Sequence, residues 1–119
     1  YNETFKLGSS KVTFYDAGHI PGSTMALLEM DNKKILYTSD FKLNDTALLK
    51  GADISKVKNV DMMIMETTYS DRDLEKRDKI EKEFIEVVNK TVEQGGIALV
   101  PSFAIRAPEL LMVLEKHKN

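Results

Sequence analysis

The chain contains no cysteine and no long apolar run, and it has only two histidines, His19 and His117. Without cysteine it can build neither a disulfide framework nor a thiolate metal site, so any transition metal must be held by histidine and carboxylate groups. Such ligands suit hard or borderline ions such as zinc or manganese. Because no stretch could span a bilayer and no charged leader precedes an apolar run, we expect a soluble, cytoplasmic protein with no membrane partner.

Charge of neither sign dominates, since 17 basic and 19 acidic residues give a net charge of −2. The chain as a whole therefore exerts no electrostatic attraction on nucleic acid. Neighbouring lysines such as Lys33 and Lys34 are either local basic patches or ordinary solvated surface. The 119 residues allow one modest core, and a first residue that is tyrosine rather than methionine suggests a fragment or a processed product.

Short segments rich in aromatic and β-branched residues fill the front of the chain. Residues 4–7 and 11–15 are separated by Gly8-Ser9-Ser10, which predicts a hairpin. Residues 25–30 and 34–37 flank a polar turn and predict a second hairpin. The front of the chain is therefore predicted to be antiparallel β.

The back of the chain alternates between strand and helix patterns. Residues 60–65 are a nearly continuous apolar run, which predicts a short buried strand. Ser70 and Asp73 have the spacing of a capping box and predict the cap of the helix that follows. In that helix apolar residues recur at helical spacing over 80–92, and Gly95-Gly96 ends it.

A second strand and a second helix are predicted beyond the two glycines. The apolar run at residues 97–103 predicts another buried strand, and Pro108 marks the start of a helix. A β-rich front followed by strand, helix, strand and helix places the chain in the α/β class, as a mixed α+β fold.

His19 and Asp40 lie in sequence contexts that are typical of the metal ligands in a metal-dependent hydrolase. His19 lies in a turn framed by Gly18 and Gly22 and stiffened by Pro21, and an imidazole fixed in this way suits a metal ion. The other reading is a structural histidine in a turn. Asp40 follows an apolar strand, where a carboxylate is either a metal ligand or base or a cap for the next segment.

Further candidates follow other strands. Asp16 is a weaker ligand candidate and is expected to brace the backbone of the histidine turn. Glu66 again places an acid directly after an apolar strand. Arg106 lies in a strand-to-helix loop with Ser102 and Glu109, where it is either a phosphate contact or part of a surface ion pair.

Four motifs in order resemble those of the β-CASP nuclease branch of the metallo-β-lactamase fold. The third and fourth motifs of that fold are matched by residues 17–23 (AGHIPGS) and 37–41 (YTSDF). The acidic motif that opens the β-CASP region is matched by residues 66–69 (ETTY), and the strand and helix after it by residues 95–111. The resemblance implies the antiparallel β half of an αββα sandwich over 1–68 and the start of a β-CASP α/β region over 69–119.

The family includes RNase J-like exonucleases and the endonuclease of the cleavage and polyadenylation machinery. The resemblance implies that His19 binds one of two zinc ions and that Asp40 bridges both as ligand and catalytic residue. It implies further that Glu66 supports acid-base catalysis, that Ser23 and Arg106 contact the substrate, and that RNA lies in a cleft between two domains.

The sequence departs from the family pattern at three places. The His-x-His-x-Asp-His motif, which supplies most of the metal ligands, is absent, and Ser39 replaces the usual glycine before the bridging aspartate. Near the second helix, the glycine before Arg106 is missing and Pro108 replaces a glutamine. Because two ligands are fewer than the three of a catalytic zinc site, we expect the chain to be inactive by itself.

The sequence thus predicts a fragment of a metal-dependent RNA hydrolase that pairs with a second copy or a complementing chain. Two alternatives stay open. One is a hydrolase of the same fold that does not act on nucleic acid. The other is a non-catalytic module for RNA binding, protein binding or assembly.

Overall fold

Four antiparallel strands form from the front of the chain, β1 (Thr4–Leu7), β2 (Ser10–Asp16), β3 (Thr24–Met30) and β4 (Lys33–Tyr37). Both predicted hairpins are therefore confirmed. This computed structural model describes residues 1–103 and 105–118. The chain divides into two compact units, Tyr1–Thr67 and Thr68–Asn119, and each is described by itself.

A fifth strand, β5 (Met62–Ile64), pairs in parallel with β4 and completes a sheet of order β1-β2-β3-β4-β5. The prediction of a strand here is confirmed, but the prediction that it is buried is wrong. Its side chains are about half exposed on both faces of the sheet, and β5 is the last strand at one edge. Asp61 fixes the start of β5, since its carboxylate accepts hydrogen bonds from Lys33 Nζ at 2.8 Å and from the Lys34 backbone N–H at 2.9 Å.

The core of the first unit lies on one face of this sheet. Met25, Leu27 and Leu36 are buried there together with Ala17 and Ala52. Three half-buried side chains from the segment after β4 pack against them, namely Phe41, Val57 and Val60. This packing holds the segment that follows β4 against the sheet.

The opposite face of the sheet is apolar and partly exposed. The rings of Phe5 and Phe14 contact each other with their centroids 5.5 Å apart. Both rings are about 40% exposed, and Tyr37 on the same face is 54% exposed. One face of the sheet is therefore covered by the unit's own chain and the other is open.

The second unit contains two helices, α1 (Arg77–Glu93) and α2 (Arg106–Lys116). The predicted end of α1 is confirmed: Gly95 takes a positive φ of 74°, and its N–H donates to Val92 O at 2.9 Å. Pro108 lies in the first turn of α2, as predicted.

Two predictions for this unit are wrong. Helix α1 begins at Arg77 after Lys76, which makes no side-chain cap, so Ser70 and Asp73 do not cap it. Residues 97–103 form no strand, and Ile97 and Phe103 are about 90% exposed. A strand needs a partner for its backbone hydrogen bonds, and an apolar pattern cannot supply one.

The mixed α+β class is confirmed by the five strands and two helices of the described residues. Within residues 1–103 and 105–118, neither helix combines the length and apolar character needed to cross a membrane.

Candidate functional site

Three strands direct their carboxyl ends to the same edge of the sheet. Strands β2 and β4 are both antiparallel to β3 and so run in the same direction, and β5 runs parallel to β4. His19 follows β2, Asp40 follows β4 and Glu66 follows β5. The strand order therefore brings three predicted site residues to one edge, although 47 positions separate the first from the last.

His19 and Asp40 approach each other at this edge. The distance from His19 Nε2 to Asp40 Oδ2 is 3.9 Å. The imidazole is 30% exposed and the carboxylate is 71% exposed. The pair is thus open to solvent and accessible to a ligand.

Backbone hydrogen bonds fix the turn that carries His19. Ser23 Oγ accepts from the backbone N–H groups of His19 and Ile20, both at 3.2 Å. Asp16 Oδ1 accepts from the Gly18 N–H at 2.8 Å, which is the bracing role expected from the sequence. The predicted contact of Ser23 with a substrate stays a prediction, and in this structure its oxygen holds the turn.

Gly18 allows this turn to lie directly against the segment after β4. Its φ is +66°, and a Cβ atom there would lie 2.5 Å from Ala52 N and 2.6 Å from Lys42 O. Gly51 permits a second close approach, within the segment after β4 itself, because a Cβ atom there would clash with Leu43 O. Sequence reasoning missed Gly51, for which the only signal was a glycine between two apolar segments.

The loop that carries Asp40 is held on both sides. The Lys42 N–H donates to Ala17 O at 2.8 Å, and the Thr38 N–H donates to Ile64 O at 3.0 Å. Glu66 Oε1 accepts from the Phe41 N–H at 3.1 Å. Glu66 therefore contacts the backbone next to Asp40, and the loop is tied to the strands on either side of it.

Comparison of the sequence with known proteins identifies the family of the chain. No family model matches the chain. It is 42% identical over 98% of its length to "Probable RNase MJ4" of Methanocaldococcus jannaschii and 39% identical over 98% to an "RNase J-like protein" of the same organism. It is also 40% identical over 98% to "Cleavage and polyadenylation specificity factor subunit 3" of Dictyostelium discoideum. The chain belongs to the β-CASP family.

This β-CASP chain matches only part of each relative. It spans 28% of the two Methanocaldococcus jannaschii proteins and 15% of the Dictyostelium discoideum protein. The resemblance read from the four motifs is confirmed by these relatives.

The donor set of the β-CASP chain fits part of a zinc site. Zn–N and Zn–O bonds are about 2.0–2.2 Å long, so two ligands of one tetrahedral ion lie about 3.4 Å apart. The 3.9 Å between His19 Nε2 and Asp40 Oδ2 is about half an ångström longer than this separation. Within residues 1–103 and 105–118, however, no three histidine, aspartate or glutamate side chains converge. The residues described fit two ligand positions and do not fit a complete catalytic centre, which needs three protein ligands.

Arg106 belongs to the second unit, where it is the first residue of α2. Among the described residues its guanidinium has no carboxylate within 4.0 Å, whereas Arg72 pairs with Asp71 and Arg77 pairs with Glu81. The sequence left two interpretations of Arg106 open, a phosphate contact and a surface ion pair. Within its described part, the structure shows no ion pair for Arg106.

Proposed function

We propose that this chain is a segment of a metal-dependent ribonuclease that hydrolyses RNA phosphodiester bonds. The single observation that carries the proposal is the approach of His19 to Asp40, with 3.9 Å between Nε2 and Oδ2, at the edge where three strands end. The names of its relatives, which include RNases and a cleavage and polyadenylation factor, support RNA as the substrate.

His19 and Asp40 supply two ligands to a zinc centre in this proposal. Metal ions in hydrolases activate water and stabilise a leaving oxygen, and this is the chemistry that a completed centre supplies. The remaining ligands come from outside the residues described, either from another part of a longer polypeptide or from a complementing chain. The chain by itself is inactive.

Glu66 acts through the loop in this proposal. Its carboxylate accepts the hydrogen bond of the Phe41 N–H, one residue beyond Asp40. It is therefore a positioning residue that sets the direction of the Asp40 carboxylate toward His19. This hydrogen bond does not require Glu66 to act as an acid or a base, which is the role that the resemblance implies.

Zinc uptake tests the ligand pair. The purified chain is titrated with zinc in competition with a chromophoric chelator, alongside His19→Ala, Asp40→Ala and the matched control His117→Ala, which removes the only other histidine. We expect weak zinc binding that both site variants abolish and His117→Ala retains. Equal loss in His117→Ala, or no change in His19→Ala, would refute the assignment of the ligands.

Assays of RNA cleavage and RNA binding distinguish a ribonuclease segment from a non-catalytic binding module. We expect the zinc-supplemented chain to leave labelled RNA intact, because its ligand set is incomplete. Cleavage that disappears in His19→Ala would support the ribonuclease and overturn the inactivity. RNA binding that survives the loss of both ligands, without any zinc uptake, would favour the non-catalytic binding module.

A further inference from the structure

The histidine turn, residues 17–23, is anchored at its base. Ala17 is fully buried, its N–H donates to Ser23 O at 3.2 Å, and its carbonyl accepts from the Lys42 N–H at 2.8 Å. Lys42 lies two residues beyond Asp40. The base of the turn that carries His19 is therefore tied to the same loop that carries Asp40.

A tight β-turn closes the other end of the histidine turn. The Ser23 N–H donates to Ile20 O at 3.0 Å, which is the hydrogen bond that closes a four-residue turn. Pro21 and Gly22 occupy the two central positions, and the φ of +84° at Gly22 is typical of a type II turn. Gly18 and His19 thus lie between a buried base and a closed β-turn.

Two side chains hold the backbone between these fixed points. Asp16, the last residue of β2, accepts at Oδ1 from the Gly18 N–H at 2.8 Å. Ser23, directly before β3, accepts at Oγ from the N–H groups of His19 and Ile20, at 3.2 Å each. Three successive N–H groups are therefore bound by side-chain oxygens from the ends of the two strands that flank the turn. These contacts restrict the backbone on both sides of the His19 Cα atom, and so they restrict the direction of its side chain.

The direction of the His19 side chain determines how close it comes to Asp40. The 3.9 Å between Nε2 and Oδ2 leaves little tolerance, because two ligands of one tetrahedral zinc ion lie about 3.4 Å apart. Functional groups need to be held within about 0.5 Å of the productive geometry, and hydrogen bonds from neighbouring residues are a common means of doing so. The contacts of Asp16 and Ser23 are hydrogen bonds of this kind.

We propose that Asp16 and Ser23 are positioning residues, which hold the histidine turn so that the His19 imidazole faces Asp40. The inference rests on the proposed function, since it takes His19 and Asp40 as ligands of one zinc ion. Neither Asp16 nor Ser23 touches the metal, and each acts through the backbone of the turn. Because Asp16 is exposed and Ser23 is half-buried, water can bind the N–H groups that either side chain leaves behind. We therefore expect the fold to survive the loss of either side chain while the direction of the imidazole changes.

Zinc uptake tests the positioning role. In a titration with zinc against a chromophoric chelator, we expect Ser23→Ala and Asp16→Ala each to weaken zinc binding about tenfold, as is typical when a residue that orients a metal ligand is removed. Ser23→Thr keeps the hydroxyl and Asp16→Asn keeps an acceptor oxygen, so both variants should retain most of the affinity. If Asp16→Asn loses as much affinity as Asp16→Ala, then Asp16 acts through its charge and its positioning role is overturned.

Two contacts of the same kind elsewhere in the first unit provide matched controls. Thr46 Oγ1 accepts from two successive backbone N–H groups, at 3.2 and 2.9 Å, as Ser23 does. Asp53 Oδ1 accepts from the N–H group two residues further on, at 3.0 Å, as Asp16 does. We expect Thr46→Ala and Asp53→Ala to leave the zinc affinity unchanged. An equal loss in these controls would show a general loss of stability and would overturn the positioning role.

The NMR signals of the His19 ring test the same role without zinc. The chain has only two histidines, so the ring proton signals of each are assigned with His19→Ala and His117→Ala. We expect the His19 signals to move in Ser23→Ala and Asp16→Ala and to return in Ser23→Thr. The signals of His117, which lies in the second unit, should stay in place. Unmoved His19 signals in both alanine variants overturn the positioning role.

The two measurements separate a failure of this inference from a failure of the proposed function. If the chain takes up no zinc, or takes up zinc that His19→Ala does not remove, the ligand pair of the proposed function fails. The ring signals then decide whether Asp16 and Ser23 position the imidazole. If zinc uptake depends on His19 but is unchanged in Ser23→Ala and Asp16→Ala, the ligand pair stands and the positioning role is overturned.

Discussion

Ser39 takes a backbone conformation that costs free energy for any residue except glycine. Its φ is 55°, directly before Asp40. The left-handed conformation costs about 1–2 kcal/mol for an L-residue. Glycine avoids this cost, but its greater conformational entropy in the unfolded chain reduces the net increase in stability. We expect Ser39→Gly to raise the free energy of unfolding by about 0.5–1 kcal/mol in urea denaturation. Ser39→Ala keeps the strain, so an equal gain in that variant would contradict the explanation.

Gly18 is constrained by space as well as by conformation. A methyl group there would lie within 2.6 Å of two backbone atoms, whereas one at Gly22, where φ is +84°, would meet nothing within 4 Å. We expect Gly18→Ala to destabilise the chain by about 2–4 kcal/mol through strain and overpacking together. The same measurement on Gly22→Ala should show about 1–2 kcal/mol, from the backbone alone. Similar losses in both variants would mean that close approach at Gly18 is unimportant.

At the scale of elements, Glu66 links β5 to the loop after β4. Its Oε1 accepts from the Phe41 N–H at 3.1 Å. We expect Glu66→Ala to weaken zinc uptake by His19 and Asp40 and to speed exchange of the Phe41 amide. Hydrogen bonds to charged groups contribute about 1.5–3 kcal/mol, so a loss of stability of that order should accompany the change. Glu66→Gln retains an acceptor oxygen and should preserve Phe41 protection; if it behaves as Glu66→Ala does, the charge rather than the hydrogen bond is required.

The contact between α1 and α2 should depend on pH. Burial raises the pKa of the Glu81 carboxyl, but hydrogen bonds from Arg77 and Lys116 outweigh it and hold the pKa below its ordinary value of 4.5. A carboxyl with a lowered pKa in the folded state adds stability above its unfolded pKa and loses it as the pH falls through the folded value.

We therefore expect the helical signal of far-UV circular dichroism to melt at a Tm that is steady above pH about 5 and falls on further acidification. Glu81→Gln should lower the Tm at neutral pH and flatten its dependence on acid. A Tm that rises as the pH falls would show that the burial of Glu81 dominates its charged contacts.

The elements that could be predicted from the sequence are those that local residues determine. The hairpins follow from alternation and turn residues, and the end of α1 follows from Gly95. The strand predicted at residues 97–103 failed because a strand also needs a neighbour, which local pattern does not contain. The approach of His19 to Asp40 could not be derived from their spacing either, because it depends on β2 and β4 flanking β3.

At the scale of the whole molecule, the open apolar face of the sheet should govern solubility. Phe5, Phe14 and Tyr37 are exposed on one face together with side chains of β5. Contiguous apolar surface of this kind marks an interaction site or an aggregation hazard. We expect the chain to bind a hydrophobic dye and to self-associate as its concentration rises in sedimentation velocity. Phe14→Lys should reduce both effects, whereas Lys6→Ala, as a control, should not.

The parallel pairing of β4 with β5 also has a consequence for the order of assembly. The antiparallel pairs close over short turns, but β5 can join only after the chain between Tyr37 and Met62 has been closed into a loop. Closing a longer loop costs more entropy, and contacts between distant residues form more slowly. We therefore expect the edge that carries His19, Asp40 and Glu66 to form last within the first unit and to open first. A ligand that holds this edge together should therefore slow unfolding of the chain and leave its rate of folding almost unchanged.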